Sequence, residues 1–165
     1  MKKYIVIYNK NSRGKTYSKQ DLEMIFSSHD LDSKIFVTNE IKQVDKIVKN
    51  FKNSKDYVYC AIGGDGTLNS LINALLGNNI NNPEVACIAS GSGSDFMRTF
   101  AMPVDIHQAI SRIKNNQNYS IDASFVESKT KSRYFINVLN YGFLAETVNL
   151  SEKLPNIFKR FRYPI

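Results

Sequence analysis

Tyr57-Val58-Tyr59-Cys60-Ala61-Ile62-Gly63-Gly64-Asp65-Gly66-Thr67-Leu68-Asn69 is the stretch on which the fold turns. Its first six residues are aromatic, β-branched or small and apolar, the composition of a buried strand. Three glycines within four positions break the run. Leu68, Leu71, Ile72, Leu75 and Leu76 then share one face at helical spacing, with Gly77 at the expected C-terminal cap. A strand therefore passes through a glycine loop directly into a helix. Such a junction meets the needs of a phosphate site: converging backbone N–H groups, close approach without a Cβ, and the positive end of a helix dipole. Thr67 adds a hydroxyl, and Asp65 a carboxylate where a phosphate-bound Mg²⁺ can be held directly or through water. The plainer alternative is a glycine-rich turn whose Asp65 caps the next helix. The loop lacks the Gly-Lys-Ser/Thr ending of a Walker loop, and Gly91-x-Gly93 runs into Asp95-Phe96 without the third glycine of a dinucleotide fingerprint.

Outward from this junction, short β-type runs alternate with amphipathic runs. Lys3 to Tyr8 reads as the first strand, and Ser18 and Asp21 stand at capping-box spacing before Leu22, Ile25 and Phe26. Lys34 to Val37 is the second strand, followed by the helical stripe Val44, Ile47, Val48 and Phe51. Val85 to Ala89 is the fourth, leading into the small-residue loop Ser90 to Ser94 and a short helical stretch from Asp95. Pro103 closes that stretch, and Ile106, Ala109, Ile110 and Ile113 give a last helix. The alternation predicts an α/β domain with a largely parallel sheet over residues 1–118. From about Tyr119 the pattern changes to two β runs, Ser120 to Val126 and Tyr134 to Leu139, joined by the polar turn Glu127 to Arg133. These predict a second, β-rich antiparallel unit over 119–165 with too few strands to close a sandwich, so the chain is expected to be truncated.

Composition narrows the function classes. A 165-residue chain that is 42% hydrophobic and 22% charged has the balance of an ordinary globular domain. It has no apolar stretch near the roughly 20 residues that span a bilayer, and no signal-peptide core at Met1 to Ile5, so a cytoplasmic protein is expected. The two cysteines sit in apolar runs, where a reduced buried thiol is ordinary. A net charge of +7 favours an anionic partner: nucleotide, nucleic acid or acidic membrane. Without an RNP-like signature, a stripe of alternating aromatic and basic residues or zinc-ligand spacing, nucleic acid ranks last. His29 and His107 show no metal or triad spacing and read as surface residues.

Gly63 to Asn69 resembles the GGDGTxN signature of the diacylglycerol kinase catalytic domain, which is shared more loosely with NAD kinases and phosphofructokinases. Gly91 to Arg98 is similar to the GTxNDFAR segment of bacterial lipid kinases, with Ser92 for Thr and Ser94 for Asn. Asn9 to Gly14 resembles the family's NPxSG loop, although Lys10 replaces Pro and Arg13 stands at the usual glycine. Phe135 to Val138 with Gly142-Phe143 and Ala145-Glu146 resembles FxNxxxxGFxAE, which opens the family's second domain.

The resemblance implies a phosphofructokinase/NAD kinase-like three-layer α/β domain, followed by the beginning of an antiparallel β-sandwich, with ATP in the cleft between them. It places Asn9, Ser12, Thr38, Gly63, Gly64, Asp65, Gly66, Thr67, Leu68, Asn69 and Ser92 at the nucleotide. Asp65 and Asp95 become the catalytic carboxylates that organise Mg²⁺ and water. The implied reaction transfers the γ-phosphoryl group of ATP to a hydroxyl of diacylglycerol or a related lipid, in transient contact with the anionic inner face of the membrane. No residue here matches the family's general base, so the chain alone is expected to be inactive. A homodimer is compatible with these features, and a nucleic-acid partner is not expected. Two alternatives stand beside this reading: a soluble-substrate kinase of the NAD kinase type, against which Gly91 to Arg98 argues, and a nucleotide-binding fragment without catalysis. Asp122, Glu146 and Arg98 match family positions where hydrogen bonding between domains is as good an account as chemistry. The basic segment Phe158 to Tyr163 either lies on an acidic bilayer or ends a helix that packs on the rest of the protein.

Overall fold

The computed structural model describes residues 2–12, 14–52, 56–90, 94–115 and 118–139. Four strands, β1 (Lys3–Asn9), β2 (Ser33–Thr38), β3 (Tyr57–Gly63) and β4 (Glu84–Ala89), form one parallel sheet in the order β2-β1-β3-β4. The helices between and after them are α1 (Lys19–Ser28), α2 (Ile41–Phe51), α3 (Asp65–Gly77), α4 (Asp95–Thr99) and α5 (Ile106–Lys114). β5 (Ser124–Glu127) and β6 (Ser132–Phe135) make an antiparallel hairpin.

β1 and β3 are central and covered on both faces, which is why they read as unbroken apolar runs. Tyr4, Val6 and Tyr8 of β1 face one way with Val58, Cys60 and Ile62 of β3, against Leu22 and Phe26 of α1 and Ile106, Ala109 and Ile110 of α5. Ile5, Ile7, Tyr59 and Ala61 face the other way, against Val44 and Val48 of α2 and Leu68, Leu71 and Leu75 of α3. The result is a three-layer α/β/α domain. Each fully buried aliphatic side chain contributes about 1.5–3 kcal/mol. No helix among the described residues is long and apolar enough to cross a membrane.

Local chemistry sets where the helices begin. Ser18 Oγ accepts the Asp21 N–H at 3.0 Å while the Asp21 carboxylate accepts the Ser18 N–H at 2.9 Å, the capping box expected for α1. Gln43 Oε1 accepts the Asn39 N–H at 2.9 Å and the Glu40 N–H at 3.4 Å ahead of α2, and Asp105 accepts the Gln108 N–H at the start of α5. The strand order places the topological switch between β1 and β3: the chain leaves β1 toward β2 on one side and reaches β4 from β3 on the other. A crevice follows outside the carboxyl ends of these two strands, at Asn9 and Gly63.

Two expectations are corrected. Gly77 is the last helical residue of α3 and not its cap. Asn78 holds that place, and Asn79 takes the left-handed conformation that glycine was expected to supply. The β runs are also shorter than their composition predicts. Ser120 to Ala123 lies outside the ladder because its register ends at the pair Ser124–Phe135, and the chain bends at residues 136–137. Apolar alternation marks the capacity to pair, whereas a strand needs a facing partner. Gly142 to Glu146 and Phe158 to Tyr163 lie outside the described residues.

Candidate functional site

Gly63 closes β3 directly beneath α3. A Cβ there would lie 2.3 Å from Thr67 Oγ1 and 2.7 Å from Thr67 Cβ, so glycine is what lets the helix start this close to the strand. Gly64 is the N-cap of α3 and has no side chain with which to satisfy the first-turn N–H groups. Gly66 differs from Gly63: a Cβ added to it meets nothing within 4 Å. Packing does not require glycine at 66, and the space above it opens onto the positive end of a 13-residue helix.

The ends of the neighbouring strands converge here. Asn9 Nδ2 donates to Thr67 Oγ1 at 3.2 Å, and Asn9 Oδ1 accepts the Asn11 N–H at 3.0 Å. Ser12 Oγ donates to Asn9 O at 2.8 Å and lies 3.1 Å from Ser90 Oγ, while the Ser90 N–H donates to Gly63 O at 3.1 Å. Ser90, at the end of β4, thus belongs to the same cluster. Thr38 ends β2 nearby, but it is buried and its hydroxyl donates to Tyr8 O at 3.3 Å, a bond that ties β2 to β1. Leu68 is likewise buried in the core. Ser92 lies outside the described residues.

Asp65 connects two elements. Its Oδ2 accepts the Asp95 N–H at 2.9 Å and its Oδ1 the Phe96 N–H at 3.2 Å. The carboxylate therefore does cap a helix, but that helix is α4, 30 residues along, and not α3. An ionised carboxylate has about four lone-pair positions, so two accepted N–H bonds leave room for a hydrated cation. Asp95 is exposed, with its carboxylate 3.1 Å from Arg98 Nη1. Among the described residues no group of three or more His, Cys, Asp or Glu side chains is placed to hold a metal ion. Asp65 and Asp95 are the carboxylates here that could hold a hydrated Mg²⁺, which takes one or two carboxylates together with substrate phosphates and keeps several waters.

Asn69 turns to the hairpin: with its amide oriented to match donors to acceptors, it donates to Tyr134 O and accepts from Arg133 Nη2, both at 3.1 Å. Asp65, Gly66, Leu68, Asn69 and Phe96 form one side of a cleft of about 220 Å³, and Phe135 to Val138 form the other. Asn73 falls outside every motif, yet it also reaches the hairpin. Its only sequence signal is a polar residue four positions after Asn69 on a largely apolar helix. Elsewhere, burial pushes the Cys60 thiol well above its usual range and that of Cys87 up to about 11, so neither is a nucleophile at neutral pH. His29 and His107 do find a partner in each other, with Nε2 and Nδ1 3.1 Å apart.

A parallel sheet between two helical layers, with a glycine loop at its switch point, defines a three-layer α/β domain. Residues 3–126 match the model of the diacylglycerol kinase catalytic domain, and the chain belongs to that family. It is 30% identical to a diacylglycerol kinase of Staphylococcus saprophyticus over 165 residues, covering 97% of this chain and 52% of that one. With a diacylglycerol kinase of Staphylococcus aureus it shares 29% identity over 164 residues, again 97% of this chain and 50% of the relative. A crystal structure of a diacylglycerol kinase from Bacillus anthracis superposes with a TM-score of 0.58 at 26% identity, covering 74% of this chain and 42% of that one. The chain thus spans about half the length of the relatives it matches.

Proposed function

We propose that this chain is the ATP-binding part of a lipid kinase that phosphorylates the hydroxyl of diacylglycerol or a related membrane lipid. The observation that carries the reading is the start of α3: a long helix capped by a side-chain-free glycine, with open space over Gly66 and Asp65 at its rim. The phosphates of ATP would lie over the N–H groups of Gly64 to Gly66, with the Thr67 hydroxyl, already accepting from Asn9, free to donate. Asp65 would hold Mg²⁺, which when bound would supply charge neutralisation. The lipid oxygen would bond to the γ-phosphorus as the bridging oxygen departs with ADP, and its proton would pass to a base outside the described residues. Such a reaction asks the protein mainly for positioning and electrostatic stabilisation. The second unit, beginning near residue 119, would supply the acceptor side, and the +7 charge would favour peripheral contact with an anionic cytoplasmic leaflet.

Calorimetric titration with ATP and ADP in the presence of Mg²⁺ tests the first step, with weak but saturable binding expected. Absence of binding up to millimolar nucleotide would reduce the loop to a structural turn. Radiolabelled ATP with mixed micelles of diacylglycerol tests the second, with no lipid phosphorylation expected from the 165-residue chain.

A further inference from the structure

Asn73 treats the hairpin as a neighbouring strand would. Its Nδ2 donates to Tyr134 O at 2.8 Å and its Oδ1 accepts the Tyr134 N–H at 2.9 Å, so one side chain exchanges both bonds with one backbone residue. The same Nδ2 donates to Asn69 O at 2.8 Å, which fixes the amide on its own helix, and Asn69 adds its bonds to Tyr134 O and Arg133. Gly66, Asn69 and Asn73 stand at i, i+3 and i+7 and share one face of α3. The open space over Gly66 is thus the end of the stripe that grips the hairpin.

From Asn73 back to Gly66 the helix covers about 10.5 Å, and beyond β6 the chain bends at residues 136–137. Gly66 and Asn137 both line the cleft. The chain leaving Tyr134 therefore runs back along α3 toward the glycine loop and becomes the cleft's far wall. The geometry points to Asn73 as a positioning residue, which sets the wall Phe135 to Val138 at a fixed distance from the phosphate loop through the helix that presents that loop. This inference rests on the nucleotide reading of the site, and Asn73 itself touches no reacting atom.

Two measurements on the 165-residue chain test it. The first needs no ligand: hydrogen exchange of the wild type, Asn73→Ala and Asn73→Asp. Asp keeps the size and the acceptor for the Tyr134 N–H but sets a carboxylate against the Tyr134 carbonyl. Both variants are expected to lose protection across residues 132–138 while β1 and β3 keep theirs, and unchanged protection there would overturn the clamp. The second compares affinity for ATP with affinity for inorganic pyrophosphate, both with Mg²⁺. Pyrophosphate uses the glycine loop alone, whereas ATP also meets the wall. A loss of folded protein would weaken both equally, so the ratio reports the wall. It is expected to shift against ATP by about tenfold in both variants. An unchanged ratio in variants that still bind pyrophosphate would overturn the positioning role and leave the nucleotide reading standing. A wild type that binds neither ligand would overturn the nucleotide reading, and the exchange data would still decide the clamp.

Discussion

α3 and α4 both begin at the carboxyl edge of the sheet, after adjacent strands, yet their first turns are satisfied in opposite ways. α4 is five residues long, and two of its leading N–H groups, from Asp95 and Phe96, are taken by the Asp65 carboxylate. α3 is 13 residues long, starts at a glycine without a side chain, and has open space over Gly66. The Asp65 carboxylate, itself in the first turn of α3, is thus turned to the leading N–H groups of α4, and among the described residues no side chain caps the start of α3. Anions at helix N-termini are generally favourable, and the proposed phosphate site at α3 would use that preference.

The largest effect expected from disturbing this contrast is at Asp65. In a full-length protein that includes the second unit, Asp65→Asn is predicted to lower kcat by about a hundredfold or more, because it removes a charge beside the transferring phosphoryl group. Asn offers one acceptor oxygen where α4 presents two N–H groups, so stability should also fall by about 1 kcal/mol. Retention of more than about a third of wild-type kcat at saturating Mg²⁺, a change below ~1 kcal/mol, would leave Asp65 a cap and nothing more.

Gly63→Ala comes next. The new methyl group would drive into Thr67 and force the start of α3 away from β3, at a cost of about 1–3 kcal/mol read by chemical denaturation. Near-native stability would show that the junction is looser than its geometry indicates.

The smallest effect concerns a third helix start, at α1, where the need is met locally. Hydrogen bonds from the Ser18 backbone and then its side chain hold the Asp21 carboxyl below its usual range. A group whose folded pKa is lowered stabilises the fold above its unfolded pKa and loses that contribution as pH falls through the folded value. The melting temperature should therefore decline on the acid side, and Asp21→Asn should flatten the decline slightly. An identical acid limb in the two proteins would show that the box adds nothing in solution.

The contrast also separates what the sequence made legible from what it did not. β1, β3 and the apolar stripes of α2, α3 and α5 were readable because burial on two faces or one writes a period of apolar residues into the chain. The capping box of α1 was readable because both partners lie three residues apart. Asp65 was readable as a cap or a metal holder, but its capped helix was not, since the bond joins residues 30 apart and depends on β3 and β4 lying side by side. Asn73 was invisible for the same reason, its partner being 61 residues away. The pairing of His29 with His107 depends likewise on the proximity of α1 and α5. The turn after α3 was misplaced because asparagine can also take the left-handed conformation, as Asn79 does.

The most direct test is Gly66→Ala, in which the added methyl group meets no protein atom and the replacement favours helix by up to ~1 kcal/mol. Thermal melting and ATP titration on the same sample should give a melting temperature equal to or above that of the wild type, with affinity for Mg²⁺-ATP reduced at least about tenfold by the methyl group over the first turn of α3. Unchanged ATP affinity at unchanged stability would contradict the account, because it would show that no phosphate approaches α3 over Gly66.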